Sequence, residues 1–294
     1  MSIEEVNNIP LKLVECPRDA MQGLKHFIPT DLKVEYINKL IKCGFDTLDM
    51  GSFVSPKVIP QLKDTSIVLD KINPSPNTKL LTIVANVQRA KEAVEYDSIH
   101  CLGYPFSISE TFQKRNINKS IDASMTLLDR LYSITGNKNK EVVLYLSMGF
   151  GNPYGDTWSE ELVEDWVHRL NSNFSPSIIA ISDTIGCANP GQVERLFKNL
   201  NASFNSIEFG AHLHVLPDNV QDLSEAAFNG GCRRFDSVIK GFGGCPMAKD
   251  DLTGNMPTEL LLKWIEAQGI THGVKNDAFN DALAFSSQVF KSNY

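Results

Sequence analysis

The sequence predicts an α/β fold, a single-domain (β/α)8 barrel of the TIM type, and three observations predict it. Eight short β-rich runs alternate with helical stretches along the chain. Their number, in a chain of 294 residues, suits a closed barrel of eight units better than an open doubly wound sheet. No Gly-x-Gly-x-x-Gly follows the first run, which removes the usual support for a dinucleotide-binding sheet. The expected bounds are a short tail over 1–10 and a barrel over 11–294 with a helical extension at its C-terminal end; no low-complexity linker divides the chain.

The β-rich runs lie at 11–16, 47–50, 79–84, 99–102, 141–146, 178–182, 207–212 and 234–239. Between the first two, Thr30 and Asp31 open a helix that runs to Lys42 and is closed by Gly44, a residue that readily takes the left-handed conformation at a helix end. Later helices are expected at 88–96, at 120–135 behind the cap-like Asn118, at 159–171, at 190–200 with Pro190 in the first turn, at 219–229 and at 258–268. Pro in a first turn, or Ser, Thr or Asn just before it, marks a helix start because it forgoes or satisfies an orphaned N–H. One stretch breaks the rhythm: 104–118 reads as a long connection carrying Lys114, Arg115 and Asn116. Long connections of this kind lie over the active-site face of a barrel, although an ordinary solvated loop reads the same way.

Charge and targeting signals narrow the function classes. Lys and Arg number 28 against 35 Asp and Glu, a formal charge of -7, which gives no general support to a nucleic-acid or anionic-membrane partner. Residues 1–15 are acidic and interrupted by Pro10, unlike a signal sequence or an Arg-rich transit peptide. No apolar run approaches the roughly 20 residues that span a bilayer. The six cysteines show no C-x-x-C spacing, as in reduced cytosolic proteins, and Cys43, Cys101, Cys187 and Cys232 read as small core residues. The final Ser292-Asn293-Tyr294 is no peroxisomal signal. A cytoplasmic protein without nucleic-acid or membrane partners is expected.

Catalytic groups in such a barrel come from the C-terminal ends of different strands, and the unusual residues of this chain gather there. Pro17-Arg18-Asp19-Ala20-Met21-Gln22 follows the first run, Asp49 lies at the end of the second, Asp183-Thr184-Ile185-Gly186 follows the sixth and His212-Leu213-His214 closes the seventh. The eighth leads into Gly241-Phe242-Gly243-Gly244-Cys245-Pro246 and then Gly254-Asn255. Histidines two apart on a strand point to one side, so His212 and His214 form either half of a metal site or a hydrogen-bonded structural pair. Asp19 and Asn255 are the oxygen donors available to complete a metal site. Imidazoles with a carboxylate and an amide oxygen, and no thiolate, suit Mg2+ or Mn2+ better than structural zinc. Arg18 is expected to face away from Asp19 unless the chain bends at Pro17. It is either a clamp for a carboxylate or enolate oxygen or a structural partner of Asp49 or Asp183. Cys245, flanked by glycine in a loop, reads as a proton donor or acceptor in preference to a core filler.

With these residues in place, the chain resembles the 3-hydroxy-3-methylglutaryl-CoA lyase family over roughly 11–273. The marks are Pro17-Arg18-Asp19 with Gln22 and Lys25, Ser52-Phe53-Val54-Ser55-Pro56-Lys57 with Pro60-Gln61, Asn116-Ile117-Asn118, Ser182-Asp183-Thr184-Ile185-Gly186, His212-x-His214, and Gly243-Gly244-Cys245-Pro246 followed by Gly254-Asn255. Each is common alone; the combination is specific. The resemblance implies a divalent metal, Mg2+ or Mn2+, held by Asp19, His212, His214 and Asn255. It also implies a catalytic arginine at Arg18 and a catalytic cysteine at Cys245, with His212 a second candidate for managing the proton. The substrate-binding set would be Arg18, Gln22, Lys25, Asp49, Asn116 and Asp183, with Lys25 near the CoA phosphates. The implied substrate is an acyl-CoA, (S)-3-hydroxy-3-methylglutaryl-CoA, cleaved to acetyl-CoA and acetoacetate, and a homodimer is the expected assembly.

The chain departs from the family pattern at several points. Ala20-Met21 stands where Gly-Leu is usual, the acidic residue before the arginine is displaced to Glu15, and a family glutamate becomes Asp49. Val215-Leu216 replaces an Asp-Thr pair after the second histidine, and the segment between Cys245 and Asn255, with Lys249, Asp250 and Asp251, is one residue longer than usual. Two alternatives therefore stand beside the lyase: a related aldolase or Claisen-type acyltransferase acting on another acyl-CoA or 2-keto acid, and a barrel that binds metal or acyl-CoA without catalysis.

Overall fold

Strands buried on both faces need a cover on each side, and in this chain the sheet supplies the inner one by closing on itself. A computed structural model describes residues 10–244 and 253–290. Strands β1 (Lys12–Glu15), β2 (Thr47–Ser52), β3 (Lys79–Ile83), β4 (Ile99–Ser107), β5 (Glu141–Ser147), β6 (Ile178–Asp183), β7 (Glu208–Leu213) and β8 (Arg234–Ser237) pair in chain order, and β8 returns to β1 in parallel. All eight expected strands are present. Every residue of β2 and of β6 is buried, as a barrel wall requires. The interior is filled by Leu81, Ile83, Cys101, Val143, Tyr145, Ile178 and Ala180, a cluster separate from the larger core between barrel and helices. Each large aliphatic side chain so removed from water contributes about 1.5–3 kcal/mol.

The helices are α1 (Pro17–Gln22), α2 (Thr30–Cys43), α3 (Thr65–Lys71), α4 (Val87–Ala93), α5 (Glu110–Ile117), α6 (Ile121–Gly136), α7 (Glu160–Phe174), α8 (Pro190–Ser203), α9 (Val220–Asn229), α10 (Thr258–Ala267) and α11 (Asn276–Val289). Their starts follow the capping chemistry read from the sequence. Ser159 accepts from Leu162 N–H, and Asn189 forms a capping box with Gln192 behind Pro190. Gly44 ends α2 at φ 82°; a Cβ there would also lie 2.9 Å from the Gly273 carbonyl oxygen.

Three sequence-based expectations change. Residues 104–118 are not a loop: β4 runs on to Ser107 and α5 occupies Glu110–Ile117. β4 accommodates Pro105 because it pairs with β3 only as far as Gly103 while its pairing with β5 reaches Ser107. Gly103 turns its carbonyl to Val84 N–H; Pro105, two residues on, faces the same side beyond the end of β3, where its missing N–H costs no ladder bond. Asn118 is not the cap of α6 but the left-handed residue that ends α5, at φ 54°, and Ser120 caps α6. Cys187 is exposed and not a core residue, because it lies in the turn after β6, where its thiol donates to the Phe150 carbonyl at 3.4 Å. Cys43, Cys101 and Cys232 are buried as expected.

Candidate active site

A proline with its fixed φ starts a helix readily, and at Pro17 the chain turns from β1 directly into α1 at the barrel mouth. This turn reverses the expectation that Arg18 and Asp19 face apart: Arg18 Nη1 donates to Asp19 Oδ1 at 2.8 Å. The same nitrogen donates to Gln22 Oε1 at 3.0 Å, and Gln22 Nε2 donates back to Asp19 Oδ1. The far side of the guanidinium is taken by Asp49, with Nε 2.9 Å from Oδ2 and Nη2 on the same oxygen. Arg18 is thus immobilised by two carboxylates while its edge lines a cavity of about 470 Å³. Burial would make the guanidinium less basic, but the charges of Asp49 and Asp19 raise its pKa further above the ordinary value.

Asp19 presents its second oxygen, Oδ2, to His212 Nε2 at 3.9 Å. One ligand atom from each of Asp19, His212 and His214 lies within 4.8 Å of the others, and all three residues are buried. The imidazole rings stand 5.7 Å apart, the shared side that alternation on β7 predicts. Burial would raise Asp19, yet Arg18, His212, His214 and a hydrogen bond from Asn255 hold its carboxyl below the usual range. His214 is pushed down to about 4, first by burial and then by His212, so it offers a lone pair near neutral pH; its ring also bonds the Thr184 backbone. Burial would lower His212 as well, but the hydrogen bond and charge of Asp236 raise it. Asn255 bridges to His214 in a short antiparallel contact, and its Nδ2 donates to the Phe242 carbonyl at 2.9 Å. A charged oxygen and two imidazoles converging on one point form a donor set that fits a hard or borderline divalent cation.

The other expected residues fall into three groups. Asn116, at the end of α5, lines the cavity together with Arg18, Gln22 and both histidines. Asp49 and Asp183 do not line it. Asp49 is spent on Arg18 and, with burial as the main cause, has its pKa raised to about 6. Asp183 accepts from Cys187 N–H at 3.1 Å and Ala188 N–H at 2.8 Å, which anchors the turn after β6. Lys25 is exposed and outside the cavity. Cys245, together with Lys249, Asp250 and Asp251, lies outside the described residues. The segment leading to it is held close: a Cβ at Gly243, φ 87°, would come within 2.7 Å of the Asp19 carbonyl oxygen.

Sequence reasoning missed three contributors. Asp236 accepts from His212 Nδ1 at 3.0 Å, and Cys16 lies in reach of both. Tyr145 sets its ring edge-on to His212 with centroids 5.4 Å apart. An acid or a tyrosine inside a β-rich run carries no signal of its own; only inward-facing parity, once the barrel is assumed, could have pointed to them.

The chain is similar to known proteins over most of its length. A family model described as HMGL-like matches residues 12–285. The cytoplasmic 3-hydroxy-3-methylglutaryl-CoA lyase of Rattus norvegicus is 31% identical over 265 residues, covering 90% of this chain and 76% of its own length. The hydroxymethylglutaryl-CoA lyase of Bacillus subtilis (strain 168) is 32% identical over 292 residues, with 94% and 96% covered. Among solved structures, an HMG-CoA lyase from Acinetobacter baumannii in complex with coenzyme A and 3-methylmalate superposes with a TM-score of 0.90 at 28% identity, covering 100% of this chain and 94% of that one. The HMG-CoA lyase structure from Bacillus subtilis gives 0.88 at 31% identity, with 95% and 93% covered.

Proposed function

The chain belongs to the HMGL-like family, and on that premise we propose that it cleaves (S)-3-hydroxy-3-methylglutaryl-CoA to acetyl-CoA and acetoacetate with the help of a divalent metal. The observation that carries this reading is the convergence of Asp19, His212 and His214 beside an immobilised arginine at the floor of one cavity. The relatives named as lyases for this thioester span nearly the same length of chain and support the choice of substrate.

In the retro-Claisen reaction the tertiary hydroxyl loses its proton and its oxygen becomes the ketone of acetoacetate. The adjacent carbon–carbon bond breaks, and its electron pair passes to the thioester enolate, which takes up a proton to become acetyl-CoA. Asp19, His212 and His214, with Asn255 next to them, would hold a divalent ion, whose positive charge would lower the pKa of that hydroxyl. Arg18 is placed to balance the enolate: fixed by Asp49, Asp19 and Gln22, it loses no freedom when charge develops against it. Asn116 and Ser147 offer polar groups to the substrate carboxylate, while Val54, Val58, Ile59 and Ile117 wall the cavity with apolar surface. With Nδ1 on Asp236 and Nε2 turned to Asp19, His212 is committed on both nitrogens. On the family resemblance the proton role is assigned to Cys245, and Lys25, exposed and outside the cavity, is assigned to the CoA phosphates. The reading includes a cytoplasmic location, as for the rat relative.

Purified protein is expected to release acetoacetate and acetyl-CoA in equal amounts with Mg2+ or Mn2+, to stop on addition of chelator and to recover when metal is restored. Arg18→Lys, which cannot span Asp49 and Asp19 together, should lower kcat by roughly 100-fold to 1,000-fold. Absence of acetoacetate with either metal contradicts the reading.

A further inference from the structure

The two histidines of the site are anchored differently. His214 rests on a backbone group at Thr184, whereas His212 turns Nδ1 to the carboxylate of Asp236 at 3.0 Å. Asp236 is 4% exposed and sits on β8, and its Oδ1 has no hydrogen-bond partner among the described residues. Arg234 lies two residues earlier on the same strand and the same face, 1% exposed, with its Nη1 donating to Asp46 Oδ1 at 3.4 Å. The strand register builds this arrangement. Gly210 pairs with Arg234 across β7 and β8, and a Cβ on Gly210 would lie only 3.1 Å from Arg234 Cδ. The glycine makes room for the arginine, and two residues further up each strand the next inward pair is His212 and Asp236.

We propose that Asp236 is a positioning residue that fixes His212 as its Nδ1–H tautomer and so turns the Nε2 lone pair towards the point on which Asp19 and His214 converge. This rests on the reading of those three residues as a metal site. An imidazole without the carboxylate can ligate only from the fraction of its population that holds the correct tautomer and ring orientation. A carboxylate behind a ligating histidine removes that cost, and losing one typically weakens metal affinity by about 10–100-fold.

The test uses full-length protein labelled with heavy nitrogen in histidine, stripped of metal and held at alkaline pH. Long-range proton–nitrogen NMR should find His212 protonated at Nδ1 in the unsubstituted protein. In Asp236→Ala the two tautomers should mix, and Mn2+ affinity measured by electron paramagnetic resonance should fall by about 10–100-fold, with Asp236→Asn in between because its carbonyl oxygen can still accept. A His212 protonated at Nε2 in the unsubstituted protein overturns the proposal whether or not any variant folds. So does an Asp236→Ala protein that is less thermostable yet keeps tautomer and affinity unchanged, the signature of a merely structural acid. Failure of the unsubstituted protein to bind Mn2+ at all, with the Nδ1–H tautomer present, instead overturns the metal reading and leaves the positioning contact standing.

Discussion

Glu15 lies wholly inside the protein at the end of β1, where Oε1 accepts from Ile239 N–H at 2.8 Å and Oε2 from Thr258 Oγ1 at 2.6 Å. It ties the first strand to the segment after the last, and so to the stem of the Gly-rich stretch. Burial raises its pKa from 4.5 to about 8 against the pull of those two hydrogen bonds. The folded protein therefore keeps a proton that the unfolded chain has lost, and the stability this group provides is complete below 4.5 and drains as the pH rises towards about 8. The slope approaches about 1.4 kcal/mol per pH unit. Glu15→Gln, close in shape and unable to ionise, should flatten the decline of the urea midpoint between weakly acidic and weakly alkaline buffer; an unchanged slope would show that Glu15 is ionised in the fold. At this scale, what could be read in advance depended on periodicity. His212 and His214 declare themselves by alternation. Asp236 is hidden because its partner is 24 residues away on another strand, and Arg18 was turned the wrong way because a proline at a strand end can open a helix as readily as it ends a strand.

Among the elements, α5 decides the shape of the cavity, since its last residues, Arg115 to Ile117, form part of the wall. Its start is held by Asp156, from the connection between β5 and α7, which accepts from Ser109 Oγ, from Thr111 N–H at 3.0 Å and from Thr111 Oγ1 at 2.9 Å. Tyr154 of the same connection lies 5.2 Å from the Arg115 guanidinium through its ring face. Two successive connections are thereby locked over the barrel mouth. Losing cap interactions of this kind costs about 0.5–2 kcal/mol. Asp156→Ala is expected to raise KM for the acyl-CoA several-fold at nearly unchanged kcat and to speed amide exchange in α5; equal KM with slow exchange would show that α5 stands without its clamp. The existence of α5 was lost in the sequence because Glu110–Ile117 carries few apolar residues and follows a proline-containing strand. The long helices α2, α7 and α8, each with an apolar stripe and a start signal, were readable to within a few residues.

The molecule as a whole follows from one repeated unit. Eight short buried strands, each followed by at least one helix, leave the sheet no free edge, and closure sets the C-terminal strand ends around a common mouth. That is why residues as far apart in sequence as Asp19, Asn116, His212 and Asn255 could be grouped before any coordinates: the topology places every strand end at the same rim. What topology could not supply is which side chains at the rim touch. Asp49 and Asp183 belong to the rim, where they hold Arg18 and the turn after β6. The central claim is that one divalent ion per chain, held by Asp19, His212 and His214, is required for carbon–carbon cleavage. Its most direct measurement is a titration of metal-stripped protein with Mn2+ in which bound ion and acetoacetate formation are followed in the same sample. The account predicts that the two rise together and saturate at one ion per chain, and that His214→Ala abolishes both. Full activity before any ion is bound, or one bound ion retained by His214→Ala, would contradict it.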